Sequence, residues 1–157
     1  MIGWLLDTNV ISTIINPNGA PTVKAWAAAQ DESRLFLSLL TLAEYDKGIH
    51  NLTDDHPDRP RFIAARDGLA ARFSGRTLSV GDSVAHRWGA ISGTVKRLTG
   101  HSPPVIDTLF AATALEHDLY LVTRNVRDVR ASGAVIFDPW HDDPAKVPLS
   151  PFPPRRS

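Results

Sequence analysis

Cysteine is absent from this 157-residue chain. Disulfides, zinc thiolates and thiol nucleophiles are excluded together, and the absence suits a reducing compartment. Net charge is absent too, because 17 Lys and Arg balance 17 Asp and Glu. No global field draws the molecule to nucleic acid or a membrane, so any such partner has to be met by a local patch. No apolar run reaches the roughly 18 residues of a membrane span, and the amino terminus lacks the basic segment, apolar stretch and small-residue cleavage site of a secretory leader. A soluble, cytoplasmic protein without a membrane partner is the expectation. The glycine motifs GxGxxG and GxxxxGK are missing, which counts against Rossmann and P-loop nucleotide binding. The six histidines (His50, His56, His86, His101, His117, His141) form no i, i+4 pair, so surface or packing roles are expected. The chain shows no internal repeat.

What remains is a chain with 43% hydrophobic residues, long enough for one domain that buries roughly 68–70% of its unfolded surface and too short for two. Short apolar runs at 2–6, 35–39, 78–80, 119–123 and 134–137 read as strands. The first stops abruptly at Asp7, as a strand buried on both faces would. Between the strands, apolar residues recur at helical spacing over 8–15, 22–30, 41–49, 61–74, 82–98 and 108–117. Alternating helices and buried strands predict an α/β domain on a parallel sheet, here over residues 1–140. Six of the twelve prolines fall between Pro139 and Ser157, so residues 141–157 read as a Pro-rich C-terminal tail. Trp4, Trp26, Trp88 and Trp140 lie in or beside apolar segments, where core anchoring is a simpler role than base stacking. Helices 9–15 and 22–30 are apolar enough to face a second copy or an inhibitor, or to be ordinary core.

Open parallel sheets place their ligand crevice at the carboxyl ends of the strands, and acidic residues recur there. Asp7 closes the first strand, Glu44 lies one helical turn beyond the second, and Asp107 opens the helix before the Leu119–Thr123 strand. Asn125, with Asp128 three residues on, closes that strand. Carboxylates converging on one edge repel, and some stay protonated unless a cation joins them. Hard oxygen donors without Cys or paired His favour Mg²⁺ or Mn²⁺ over zinc. Such an ion, activating a bound water, suits phosphodiester hydrolysis. Each residue also has a structural alternative. Asp7 can cap the next helix, Thr41-x-x-Glu44 has the form of a capping box, and Asp107 sits where a helix dipole welcomes an anion. Asn125 can be a turn former and Asp128 a solvated partner of Arg127 or Arg130. Arginine supplies 13 of the 17 basic residues. Two groups, Arg59-Arg61-Arg66-Arg72-Arg76 and Arg124-Arg127-Arg130, could track an RNA backbone or form solvated faces. Arg124 and Arg127 flank the acidic edge and are the better placed.

The segments LLDTNVIS (5–12), LTLAEYDKGI (40–49), VIDTLFAATALEHDLYLVTRNVRD (105–128) and VIFDPW (135–140) resemble the PIN-domain nucleases, specifically the VapC and FitB-like toxins of type II toxin–antitoxin pairs. The resemblance implies a PIN-like three-layer α/β fold with a central parallel β-sheet flanked by helices. It also implies an Mg²⁺- or Mn²⁺-dependent endoribonuclease that hydrolyses RNA with a metal-activated water. A small cognate antitoxin would inhibit it, with a homodimer and a toxin–antitoxin hetero-oligomer as the expected assemblies. Carried over residue by residue, the metal-binding acids fall on Asp7, Glu44 and Asp107. The family's fourth position, often Asp, falls on Asn125, which would position a metal-bound water, with Asp128 as a substitute acid. Thr8 and Thr123 would orient the carboxylates, Arg124 and Arg127 would contact RNA, and the antitoxin would insert an Arg into the acidic edge. Two alternatives stand beside this reading. One is a catalytically weak or inactive PIN-like module that binds RNA or a partner. The other is a haloacid-dehalogenase-like phosphatase, which needs a second Asp two residues after the first and meets Asn9 there instead.

Overall fold

Strand β1 (Gly3–Leu6) is buried along its whole length, and its side chains alternate: Trp4 and Leu6 enter one core, Leu5 another. That alternation is what a strand between two helical layers requires. The computed structural model describes residues 1–152. In it β1 is the centre of a five-stranded sheet with β2 (Leu35–Ser38), β3 (Thr77–Leu78), β4 (Leu119–Val122) and β5 (Ile136–Phe137). The order is β3-β2-β1-β4-β5 and every neighbouring pair is parallel. Trp4 stands opposite Leu35 and Tyr120, and Leu6 opposite Leu37 and Val122.

Helices α1 (Thr8–Ile15), α2 (Pro21–Ala28), α3 (Leu39–His50) and α4 (Arg59–Arg72) cover one face. There Val10, Ile11, Val23, Trp26, Leu42 and Leu69 pack with Trp4, Leu6, Tyr120, Val122 and Phe137. Trp4 stacks on Tyr120 at 4.8 Å and meets Trp26 edge-on at 5.3 Å, so both tryptophans are core anchors. The opposite face receives α6 (Val105–Glu116) and the short α7 (Val126–Val129), with Phe110, Ala111, Ala114 and Val129 against Leu5, Leu119 and Leu121. Helix α5 (Asp82–Thr99) packs on α6. The result is the three-layer α/β architecture expected from the sequence. Gly3 keeps the sheet tight at its centre, since a Cβ there would stand 2.5 Å from the Arg34 carbonyl oxygen.

Helix α6 begins three residues earlier than its alanine-rich stretch suggests. Pro104 precedes it, so Asp107 lies inside its first turn. The Pro-rich stretch beyond β5 forms no strand, yet it stays on the body. Trp140, Val147 and Leu149 pack against the first core. Tyr120 Oη donates to Pro148 O at 2.9 Å, and Ser150 N donates to Met1 O at 2.9 Å. Arg34 donates to Ile2 O at 2.8 Å and Ser150 O at 2.9 Å, with its guanidinium 3.5 Å from the centre of the Phe152 ring. The expected tail is a strap across the amino ends of the strands as far as Phe152; its residues 153–157 lie outside the described residues. Among the described residues no helix is long and apolar enough to cross a membrane.

Candidate active site

Buried polar side chains are costly unless hydrogen-bonded, and in this chain they concentrate at strand ends. Among the described residues seven are buried and polar, and four of these lie at the carboxyl rim of the sheet. Asp7, Thr123 and Asp138 directly follow β1, β4 and β5, and Ser38 is the last residue of β2. Ser38 Oγ accepts from Leu40 N at 3.1 Å and caps α3. Thr41 therefore lies within that helix, and Thr41-x-x-Glu44 forms no capping box.

Asp7 is only 7% exposed. Its Oδ1 accepts from Thr8 N at 2.6 Å, which makes it the cap of α1. Its Oδ2 accepts from Thr123 Oγ1 at 2.6 Å and from Asn9 Nδ2 at 3.0 Å. Thr123 Oγ1 accepts in turn from Asn125 N at 3.0 Å, and Arg124 N donates to Asn9 Oδ1 at 3.2 Å. These bonds join the end of β1 to the loop after β4. Burial pushes the Asp7 carboxyl up to about 6, against the hydrogen bonds from Thr123 and Thr8, and the charges of Asp107 and Glu44 push the same way.

Asp107 is half-buried in the first turn of α6. Burial raises its carboxyl, the charges of Asp128 and Glu44 raise it further, and a hydrogen bond from the Asn125 side chain opposes them. Glu44 is half-buried in the second turn of α3. Thr8 Oγ1 lies 3.0 Å from the buried Thr41 Oγ1, which links the start of α1 to the turn that carries Glu44. Asp7 thus feels the charges of Asp107 and Glu44, and Asp107 those of Asp128 and Glu44, across one rim. Among the described residues, no three Asp, Glu or His side chains stand close enough to form a ready-made metal-ligand cluster.

Residues 4–132 match the PIN domain family. This chain belongs to that family. It is 31% identical to Toxin FitB of Neisseria gonorrhoeae over 138 residues, 88% of this chain and 99% of the relative. It is 29% identical to the VapC ribonuclease Y4jK of Sinorhizobium fredii over 137 residues, 87% of this chain and 96% of the relative. The crystal structure of FitAcB from Neisseria gonorrhoeae matches with a TM-score of 0.77 at 30% identity, covering 88% of this chain and 99% of that one. The structure of FitAB bound to a DNA fragment matches with a TM-score of 0.78 at 28% identity, covering 89% and 97%.

In this PIN domain the other expected site residues divide. Thr8 and Thr123 touch Asp7 or its supports, and Asn125 acts on Asp107. Asp128 is exposed and acts on Asp107 through its charge. Arg124 is exposed, with its guanidinium 5.3 Å from the Trp140 ring centre. Arg127 is exposed and forms no ion pair among the described residues. The first arginine group forms ion pairs at the surface, with Arg61 still 74% exposed. Arg59 pairs with Asp54, Arg61 with Asp58, Arg66 with Asp46, and Arg72 and Arg76 with Glu32.

Two further residues of the rim have no place among the site residues expected from the sequence. Asn9 supports Asp7 directly; its position two residues after a strand-ending acid was the available signal. As a neutral amide it donates to Asp7 and has no proton to give as an acid, so the PIN domain lacks the second acid of a phosphatase. Asp138 closes β5 as Asp7 closes β1, and the same strand-end rule would have found it.

The donor chemistry at Asp7, Glu44 and Asp107 fits a hard divalent cation. All donors are carboxylate oxygens, none of the three is ion-paired among the described residues, and burial, with the charge of Glu44 added, raises both Asp7 and Asp107.

Proposed function

We propose that this PIN domain is a metal-dependent endoribonuclease, the toxin of a toxin–antitoxin pair, in which Asp7, Glu44 and Asp107 hold Mg²⁺ or Mn²⁺. The observation that carries the reading is the buried Asp7 carboxyl, clamped by Thr123 and raised by burial and by the charges of Asp107 and Glu44. A divalent ion bound there supplies a water of lowered pKa and a counter-charge for phosphate oxygens. Thr8, Asn9 and Thr123 fix the Asp7 carboxylate, while Thr41 steadies Thr8 beside the helix that carries Glu44. Asn125 restrains Asp107, and Asp128 adds negative charge on the same side. Arg124 and Arg127, exposed beside this rim, offer guanidinium forks to the phosphates of an RNA strand.

The relatives, a FitB toxin and a VapC ribonuclease, support this reading. The FitAB complexes among the structural neighbours support a small antitoxin as partner. A cleft of about 330 Å³ between α1, α3 and α4, lined by Ile15, Pro17, Tyr45 and Phe62, gives that partner an apolar seat beside the rim. In this reading the toxin forms a homodimer and a toxin–antitoxin hetero-oligomer, and it acts in the cytoplasm.

Purified protein is expected to cleave RNA in Mg²⁺ or Mn²⁺ and to stop when a chelator is added. Asp7→Asn should reduce cleavage by at least about a hundredfold with its circular dichroism spectrum intact. Unchanged cleavage in that variant would refute the assignment. The neutral Asn125 and the open spacing of the acids favour one second reading, a PIN domain that binds RNA or antitoxin without cutting. Single-turnover assays at high protein concentration separate the two, because only the binding module leaves every RNA intact.

A further inference from the structure

Beyond β5 the backbone folds into a braced turn around Asp138. The buried Asp138 carboxylate accepts from Trp140 N at 2.9 Å and meets His141 Nδ1 at 2.8 Å. Asp138 N donates to Asp142 Oδ2 at 2.8 Å, and His141 N and Asp142 N both donate to Asp138 O. This closed network fixes Trp140, which packs on the first core and leaves part of its indole exposed.

Arg124 comes to the same place from β4. Its guanidinium lies over the Trp140 ring, and its backbone N is bonded to Asn9, the residue that supports Asp7. Between this pair and α1 lies a cleft of about 250 Å³ lined by Ser12, Thr13, Asn16 and Gly19. The lining is aromatic, cationic and hydrogen-bonding, and no acidic residue contributes to it. Its neighbour along the rim is the acidic centre. Asn9 and Thr13 are one helical turn apart on α1, joined by a 2.9 Å bond from Thr13 Oγ1 to Asn9 O. The cleft therefore starts, at Ser12, about 4.5 Å along the helix axis from Asn9, the support of Asp7.

We propose that this cleft is a nucleobase subsite. The unpaired base that flanks the scissile phosphate of a single-stranded RNA enters it and stacks on the Arg124–Trp140 pair, while the edge of the guanidinium binds the adjoining phosphate. The proposal rests on the ribonuclease reading above and names the form of RNA that the rim accepts. A guanidinium already held over an indole loses little further freedom when a base stacks on it, and Arg planes and aromatic faces both take up splayed-out bases. The Ser12 hydroxyl and the Asn16 amide give the base edge hydrogen-bonding partners. A base held in a duplex cannot enter, because its edge is paired and its faces are stacked. Arg124 contacts the substrate in this arrangement, and Trp140 is its positioning residue.

The test is equilibrium binding, in chelator so that no strand is cut, of a fluorescent single-stranded RNA. The probes for comparison are the same strand with abasic sites and its duplex. The full-length protein is expected to prefer the intact single strand to both probes by roughly tenfold. Trp140→Leu, which keeps an apolar side chain on the core, should erase that preference, and Trp140→Phe should retain it. Arg124→Ala should weaken the intact strand by a similar factor and lower the dependence of affinity on salt by about one phosphate contact. Wild-type affinity for the intact strand in Trp140→Leu, or equal wild-type affinity for intact and abasic strands, would overturn the subsite. If wild type then still cuts RNA in Mg²⁺, the ribonuclease reading survives that loss. Absence of any RNA binding by the wild type would overturn both. Should Trp140→Leu fail to fold, the exposed Arg124→Ala carries the decision alone.

Discussion

Asp7 caps a helix and belongs to a cluster of like charges, but its burial dominates its titration. Its carboxyl rises from an ordinary 3.8 to about 6, chiefly through burial. The folded state therefore holds this proton more tightly than the unfolded chain does. The resulting stabilisation is complete below the ordinary value and is lost as pH rises through about 6, a change of about 3 kcal/mol. In chelator, Asp7→Asn should accordingly gain stability relative to wild type by up to that amount between pH 4 and pH 7, as measured by urea unfolding. A difference that stays constant with pH would show that Asp7 does not titrate in that window. Thr123→Val removes the hydroxyl that bonds Asp7 and accepts from Asn125 N. The expected cost is about 1–3 kcal/mol of stability, with a further rise of the Asp7 carboxyl visible by NMR titration and restoration by Thr123→Ser. Asp7 and Asp107 are legible in the sequence because one follows a strand and the other opens a helix, and Glu44 because it lies one helical turn beyond a strand. Their supports are harder to read: an Asn or Thr forms bonds in a turn whatever lies nearby, and only the parallel pairing of β1 with β4 makes Asn9 and Thr123 partners.

Elements are legible where one period dominates. The apolar runs at 2–6, 35–39 and 119–123 mark β1, β2 and β4 because both faces of the sheet are covered. Edge strands β3 and β5, two residues each, give weaker signals, and α7 is a single turn with too little length for periodicity. Nor can helical spacing tell which arginines reach solvent. Arg76 shows why: it donates to the carbonyls of Glu32, Leu35 and Arg72 and to the Glu32 carboxylate, linking the end of α4 to the start of β2. The planar fork serves several acceptors at once, which a lysine cannot imitate. Arg76→Ala should cost about 1–3 kcal/mol, and Arg76→Lys should recover little of it. A thermal melt of the two variants checks this, and a full rescue by lysine would reduce the clasp to a simple charge pair.

At the scale of the molecule, function and fastening occupy opposite poles. Acids, the Arg124–Trp140 cleft and the Asp138 turn share the carboxyl ends of the strands, while the strap from Val147 to Phe152 crosses the amino ends. Its apolar contacts, Val147 and Leu149, are too sparse to show a period, so composition alone marks the stretch as a tail. Deleting residues 147–157 exposes part of the first core and removes the acceptor of Tyr120 and one of the two carbonyl acceptors of Arg34. A loss of about 2–4 kcal/mol is expected, with RNA cleavage retained at temperatures where the shortened chain remains folded. Loss of cleavage by a fully folded truncation would show that the two poles are coupled. The 2.9 Å bond between Ser150 N and Met1 O has a practical corollary. A short linker could join those neighbours into a circular permutant reopened at an outer loop, and a purification handle or dye placed at either of them would leave the approach of a nucleic acid strand unobstructed.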